Sequence, residues 1–284
     1  MLRAWQDVIV KWRLVPDDSD VDTDAGTDAA AGPASVGHEH ASLARAALLD
    51  GRLDDARKHF ETAARLRDHP LDQVGIGDVH LARGRWTEAN EHYQAALLTG
   101  GVTALMAKLG IGQVMIGEGR AAGAIADLEH LVADRPHDPV LRYYLASAWY
   151  SVAEQSRSRT DDDTLVITSE QQLLICEQAA ERIRSLKVED EELDRGAEFL
   201  LNEVALGRRW TWAPEGIAVS LAVLTVALGL ITVVAGGLMG NPALVIAGVV
   251  LGGVLLFVIV WRFRRQTWRR RADEMSPHIS RLGV

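Results

Sequence analysis

Two stretches of this chain, residues 217–238 and 242–261, contain no Asp, Glu, Lys, Arg or His. As α-helices rising 1.5 Å per residue, each is long enough to cross a hydrocarbon core, which takes about 20 residues. A helix that is apolar all round has no face to offer water, so it must be buried in protein or in lipid. A single kinked span and a buried core hairpin are the alternatives to a double crossing. The combined length and the absence of charge favour the double crossing. Gly240-Asn241-Pro242 parts the two stretches with a turn tight enough to leave both helices antiparallel.

Basic residues lie on one side of this hairpin. Arg208 and Arg209 precede the first stretch, and Arg262, Arg264, Arg265, Arg269, Arg270 and Arg271 follow the second. The connecting turn has none. The positive-inside rule then puts both termini, and everything before residue 208, on the cytoplasmic face of a cell membrane. Trp210, Trp212, Trp261 and Trp268 stand where an aromatic belt is expected. No ionisable group lies within either span, so an ion or proton pathway is a poor expectation and an anchor a good one.

Small residues mark one face of the first span: Ala218, Ala222, Thr225, Gly229, Thr232 and Gly236. Gly248 and Gly252 do the same in the second. Helices in lipid associate where small residues let backbones approach. Two readings stay open. Either the spans pack on each other, or one small face is left for a homo-oligomer or another membrane protein.

Charge divides the chain. Residues 1–207 carry a net −15 and residues 208–284 a net +6. An acidic body is a poor surface for nucleic acid, which is not expected as a partner. Cys176 is the single cysteine, so no intrachain disulfide forms and no multi-thiolate zinc site exists. The first apolar run, Val8 to Val10, is too short for a secretory signal. Four lysines against 26 arginines, with frequent Ala and Gly, match the coding bias of a high-GC bacterium.

Residues 1–15 read as an amphipathic helix with Leu2, Trp5, Ile9 and Trp12 on one face and Arg3, Lys11 and Arg13 beside it. It either docks on the folded domain, frays, or lies among lipid headgroups, a layer that suits Trp and basic side chains. Residues 16–37, rich in Asp, Ala, Gly, Pro, Ser and Thr, bury too little apolar surface to offset ordering and read as a disordered acidic linker.

From residue 38 the chain repeats. Gly51-Arg-Leu-Asp-Asp-Ala56-Arg-Lys-His-Phe60 returns as Gly84-Arg-Trp-Thr-Glu-Ala89-Asn-Glu-His-Tyr93 and again as Gly119-Arg-Ala-Ala-Gly-Ala124-Ile-Ala-Asp-Leu128. The alanines are 33 and then 35 residues apart. Large-then-small pairs recur upstream at Leu43–Ala44, Ile76–Gly77, Ile111–Gly112 and Leu145–Ala146. Small, large and small residues recur downstream at Ala56, Phe60, Ala63 and at Ala89, Tyr93, Ala96. The third copy, Ala124, Leu128, Leu131, departs at its last position. Over residues 38–150 this pattern resembles the tetratricopeptide repeat (TPR) family. A fourth unit starts at Pro139–Ala153, is interrupted by a charged insertion at 155–167, and resumes as a helix over 168–187 capped by Thr168 or Ser169. A further helix at 191–207 closes the stack, since a bare last repeat exposes its apolar face.

The resemblance implies an all-α superhelix of helix–turn–helix units over 38–207, with a concave groove that binds a peptide or helix of a protein partner. Arg45, Asp78, Gln113 and Tyr143 are the groove-facing candidates. Some relatives grip a C-terminal carboxylate there; at the matching positions stand Ala41, Arg45, Gly75, Met106 and Gly110, of which Arg45 alone could serve.

Catalytic chemistry is not expected. His38, Glu39 and His40 are too close in sequence on a linker to enclose a metal. His59 and His92 recur because the repeats do. Gly75-Ile-Gly77 and Gly110-Ile-Gly112 lack the strand and Lys-Ser or Lys-Thr pair of a phosphate loop, and Asp161-Asp-Asp163 lacks the glycine and terminal glutamate of a calcium loop. No cofactor is implied. The expectation is a non-enzymatic, membrane-tethered scaffold with a TPR-like domain over 38–207, a hairpin over 217–261 and a basic cytoplasmic tail over 262–284. A structural subunit contacting its complex through the hairpin, and a membrane-shaping protein using residues 1–15, are the alternatives.

Overall fold

A computed structural model describes residues 2–15, 32–212 and 215–283. The chain is almost entirely helical: α1 (Leu2–Trp12), α2 (Pro33–Leu49), α3 (Leu53–Arg67), α4 (Pro70–Ala82), α5 (Trp86–Leu97), α6 (Gly101–Gly117), α7 (Ala121–Asp134) and α8 (Pro139–Ser156). Then come α9 (Glu170–Leu186), α10 (Glu191–Arg208), α11 (Glu215–Leu238), α12 (Pro242–Phe263) and α13 (Thr267–Met275). Among the described residues, five short strands punctuate the C-terminal half: β1 (Ser158–Thr160), β2 (Leu165–Val166), β3 (Trp210–Trp212), β4 (Arg264–Gln266) and β5 (Ile279–Arg281).

The helices fall into two compact units. The first comprises the described residues up to Gln155 together with Ala179–Ala197; the second comprises Ser156–Gln178 and the chain from Glu198 onward. In the first, α2 pairs with α3, α4 with α5 and α6 with α7, while α2, α4 and α6 stack as neighbours. This is a TPR-like stack, and its turns show why Gly-Arg recurs. Gly51, Gly84 and Gly119 all sit at positive φ, 76°, 71° and 81°, where a side chain is strained.

Its core is aromatic rings laid on glycines. The Phe60 ring covers Gly75, one repeat on, and the Tyr93 ring lies between Gly77 and Gly110. A Cβ on Gly110 would stand 2.5 Å from the Tyr93 ring, so glycine there is a packing requirement. In the third unit Leu128 takes the ring's place. There Gly112 has nothing closer than Ala124 Cβ at 3.9 Å, and a cavity of about 370 Å3 opens beside Gly112, Ala124, Leu128 and Leu131.

The stretch expected as linker ends sooner than residue 37. α2 starts at Pro33, because proline at the first helical position needs no N–H partner and Gly32 is extended there. Residues 16–31 lie outside the described residues. After the insertion, Ser169 Oγ accepts from Gln172 N at 3.1 Å at the start of α9, and Asp190 Oδ1 accepts from Leu193 N at 2.9 Å at the start of α10.

In the second unit, the charged insertion is a hairpin, β1 against β2, and β5 from the C-terminal tail adds to it in the order β2-β1-β5. Residues 262–284 are therefore not a plain tail. Their first two extend α12, and β4, α13, a 3-10 turn at Ser276–His278 and β5 follow. α11 and α12 pack antiparallel across the Gly240 turn. At the opposite end, β3 pairs with β4, so the residues entering the first helix hold those leaving the second.

Within α11 and α12, Val219–Leu238 and Pro242–Phe263 are long and apolar enough to cross a membrane, and only 11% of each hydrophobic window is buried in the protein. A buried core hairpin would be mostly covered, so that alternative does not describe these helices.

Candidate functional site

The surface made by α2, α4 and α8 is occupied. α1 lies on it, and its buried residues are Asp7, Val8, Lys11 and Trp12. This corrects the face read from the sequence, which put Lys11 at the flank. Trp5 and Ile9 are only half-buried, and the side chain of Leu2 lies outside the described residues. The rotation follows from an acidic residue at the floor of the groove, which draws the ammonium inward.

That residue is Asp78 on α4, fully buried. Its Oδ1 accepts from Lys11 Nζ and from Tyr93 OH, the latter at 2.6 Å; its Oδ2 accepts from Trp12 Nε1 at 2.7 Å. The ammonium also lies over the Tyr93 ring, 4.6 Å from its centroid. Burial pushes the Lys11 pKa below its ordinary value, against the opposing pull of Asp78 and Asp7. Burial, then the neighbouring Asp78 charge, raises Tyr93 well above the ordinary phenol range and keeps it a neutral donor.

The middle of α1 and the chain on either side of it are held by other helices. On α8, Tyr143 OH donates to Asp7 Oδ1 at 2.8 Å and Tyr144 OH to the Asp7 carbonyl at 2.7 Å. On α2, the Leu48 carbonyl accepts from Trp5 Nε1 at 3.1 Å. Arg45 donates to the Trp12 and Val15 carbonyls at 3.3 and 2.8 Å and lies over the Trp12 ring. A cation on the exposed carbonyls of a helix C-terminus is favourable both as a hydrogen-bond donor and toward the helix dipole. Trp12 in turn stacks on Phe60, 5.8 Å between centroids, so α1 joins the core of the repeats.

Of the four groove candidates, the structure brings Arg45, Asp78 and Tyr143 onto one helix. Gln113 is buried, but its Nε2 has no hydrogen-bond partner among the described residues. Sequence reasoning missed Tyr144, Asp7 and Lys11. Their signal was present as polar residues at helical spacing, but nothing in the pattern paired them.

The small stripe meets the other helix of the hairpin. Gly229 lies against Gly248 and Gly252, Gly248 against Thr232, and Gly236 against Val245. Thr225 is buried and Ala222 half-buried; the Ala218 side chain lies outside the described residues. Thr225 and Thr232 return their hydroxyls to the Leu221 and Leu228 carbonyls, as apolar surroundings require.

Two histidines at equivalent repeat positions, His59 and His92, each meet a residue of the preceding helix. His40 meets His59 at 2.9 Å between Nδ1 atoms, and His92 meets Gln73 at 2.8 Å. No group of three His, Cys, Asp or Glu is placed to hold a metal among the described residues. Cys176 is buried, and burial raises its pKa from 9.0 to about 11 despite the nearby Arg157. At pH 8 that shift alone cuts the thiolate fraction by about a hundredfold. Iodoacetamide should therefore modify the folded chain at least that much more slowly than a free thiol, as mass spectrometry of the intact protein would read. Modification at the free-thiol rate would contradict this environment.

No protein-family model and no curated protein sequence matches the chain. Among solved structures, a TPR repeats protein from Bacteroides fragilis NCTC 9343 is similar over 85% of this chain and 95% of that one, at 10% identity and a TM-score of 0.35.

Proposed function

We propose that this chain is a membrane-tethered scaffold that holds a protein partner through a helix seated in the groove of its repeats. One observation carries the reading: the groove already seats a helix, with acceptors and donors on three different repeat helices addressing it. Asp78 takes the cation and indole, Arg45 the helix C-terminus, and Tyr143 with Tyr144 the aspartate one turn before Lys11. α1 is then the resident occupant, and a partner helix of similar chemistry competes with it. The hairpin holds the scaffold at the bilayer, with both termini on the cytoplasmic side by the distribution of arginines.

Two features count against the rival roles. The small faces of the hairpin are spent on each other, leaving less for an intramembrane complex or a homo-oligomer through the hairpin. Val8 and Trp12 are buried in the groove, which withholds them from a membrane surface.

A synthetic peptide of residues 1–15 tests the groove as a separable receptor. It should bind the chain lacking those residues with a Kd of micromolar order, and bind the intact chain far more weakly because α1 occupies the site. The Trp12→Ala peptide should lose most of that affinity. A truncated chain that keeps its helical circular dichroism yet ignores the peptide would sink the reading, and so would one that simply unfolds, because the groove would then be no separable receptor.

A further inference from the structure

A second cluster lies at the ribbon end of the hairpin, away from the Gly240 turn. Where α12 ends, Arg264 lies over the Trp210 ring, 5.4 Å from its centroid, and Arg269 over the Trp268 ring at 5.1 Å. Three of their neighbours are neutralised: Arg265 pairs with Asp273, Arg270 with Glu274 and Arg271 with Glu203. Among the described residues, neither Arg264 nor Arg269 makes an ion pair. The two free guanidiniums instead share an open cavity of about 490 Å3 with Trp210, Phe257, Val260 and Trp261. Its volume is in the range of small-molecule sites.

The walls change character along the helix axis. Phe257, Val260 and Trp261 belong to the last apolar turns of α12; Arg264 and Arg269 stand beyond them. A ligand filling this space presents an acid to the arginines and hydrocarbon to the phenyl and isopropyl groups. We propose that the cavity binds one anionic phospholipid, its phosphate on Arg264 and Arg269 and its acyl chains against Phe257 and Val260. This rests on the reading of the hairpin as membrane-spanning.

The chemistry selects the headgroup. Guanidinium presents a planar fork that matches two phosphate oxygens at once, and it is weakly hydrated, so it gives up water readily at an interface. Stacking on Trp210 and Trp268 holds both forks in place before the lipid arrives, which lowers the ordering cost. A zwitterionic headgroup brings an ammonium toward two uncompensated cations and is disfavoured. A phosphoglycerol headgroup carries one negative charge with no amine and suits the site.

The test uses the full chain. Flotation with phosphatidylcholine vesicles first reads whether the hairpin inserts at all. Native mass spectrometry in detergent, with phosphatidylglycerol and phosphatidylcholine offered at equal concentration, then reads the site. Phosphatidylglycerol adducts should exceed phosphatidylcholine adducts by about tenfold on the wild type and fall to parity on Arg264→Gln/Arg269→Gln. Trp210→Ala leaves net charge unchanged, so general attraction to an acidic lipid predicts no effect, whereas loss of the stacking platform predicts a several-fold drop. Equal adducts of the two lipids on the wild type, or a Trp210→Ala chain that behaves as wild type, would overturn the proposal. Inorganic phosphate competing as well as the lipid would reduce the site to one for simple anions and overturn it too. Failure to float with any vesicle would instead defeat the membrane reading, and the lipid site with it.

Discussion

The Asp78→Asn chain should be less stable than the wild type by about 3–5 kcal/mol, the usual consequence of leaving a buried charge without its partner. Lys11 is fully buried, and Asp78 is its ion-pair partner, with Asp7 adding a smaller pull on the ammonium. The amide is the same size and can still accept from Trp12 Nε1 or Tyr93 OH, so the loss is read on the ammonium rather than on a cavity. Urea denaturation followed by circular dichroism checks it, with the detergent held constant. A deficit below about 1 kcal/mol would mean that Lys11 escapes to water and that α1 is loosely held. The pH dependence gives an independent signature. The Lys11 pKa in the fold lies below its unfolded value of 10.5, so the unfolded chain binds more protons between the two values and stability rises with pH in that window. Removing Asp78 takes away the largest pull opposing that depression, which widens the window downward. The deficit of Asp78→Asn should therefore shrink from pH 7 toward about pH 10, above which ordinary tyrosines of the unfolded chain ionise. A deficit that grows with pH would contradict the assignment.

The contrast between Asp78 and Lys11 shows what a sequence of this kind discloses. The repeat units were legible because their physics is local and recurs: Gly51, Gly84 and Gly119 supply the same left-handed turn, and Phe60 and Tyr93 return beside the same glycines. Asp78 could be assigned to the groove from its place in a first helix. Its partner could not. Lys11 stands 67 residues away, and an apolar-face reading of α1 counts a lysine as solvent-facing whatever lies across from it. The residues that give α1 its orientation are thus polar ones, invisible to hydrophobic periodicity. The sheet of β2, β1 and β5 was hidden for a related reason. Strands of two or three residues are too short to show alternation, and β5 reaches β1 from more than a hundred residues along the chain. In the hairpin, the small residues were plain, yet which small face meets which is a matter of register. The contacts of Gly229 with Gly248 and Gly252 decide it, and composition does not.

Two glycines on α6, two residues apart, should respond to the same substitution with opposite sign. Gly110→Ala puts a Cβ 2.5 Å from Tyr93 Cζ and 2.6 Å from Cε2. The ring cannot step aside without cost: its hydroxyl is tied to Asp78 at 2.6 Å, and Gly77 closes its other side, where a Cβ would be 2.6 Å away. Either the ring moves and loosens its bond to Asp78, or α5 and α6 separate, and overpacking of this kind costs about 1–3 kcal/mol. Gly112→Ala puts its Cβ into the cavity left where Leu128 replaces an aromatic ring, with Ala124 Cβ at 3.9 Å as the nearest atom. There the methyl meets ordinary contact, and alanine in place of a helical glycine contributes about 0.5–1 kcal/mol of stability. Thermal unfolding of the two variants should therefore bracket the wild type, with Gly110→Ala melting below it and Gly112→Ala above. Helix propensity alone predicts that both substitutions stabilise, so a stabilised Gly110→Ala chain would show that the Tyr93 ring is free to move. That freedom would also undo Asp78, because the residue that receives α1 is held in place by the same hydroxyl. A groove floor that yields to one methyl group could not keep Lys11 dry, and a stabilised Gly110→Ala chain would predict a small effect for Asp78→Asn as well.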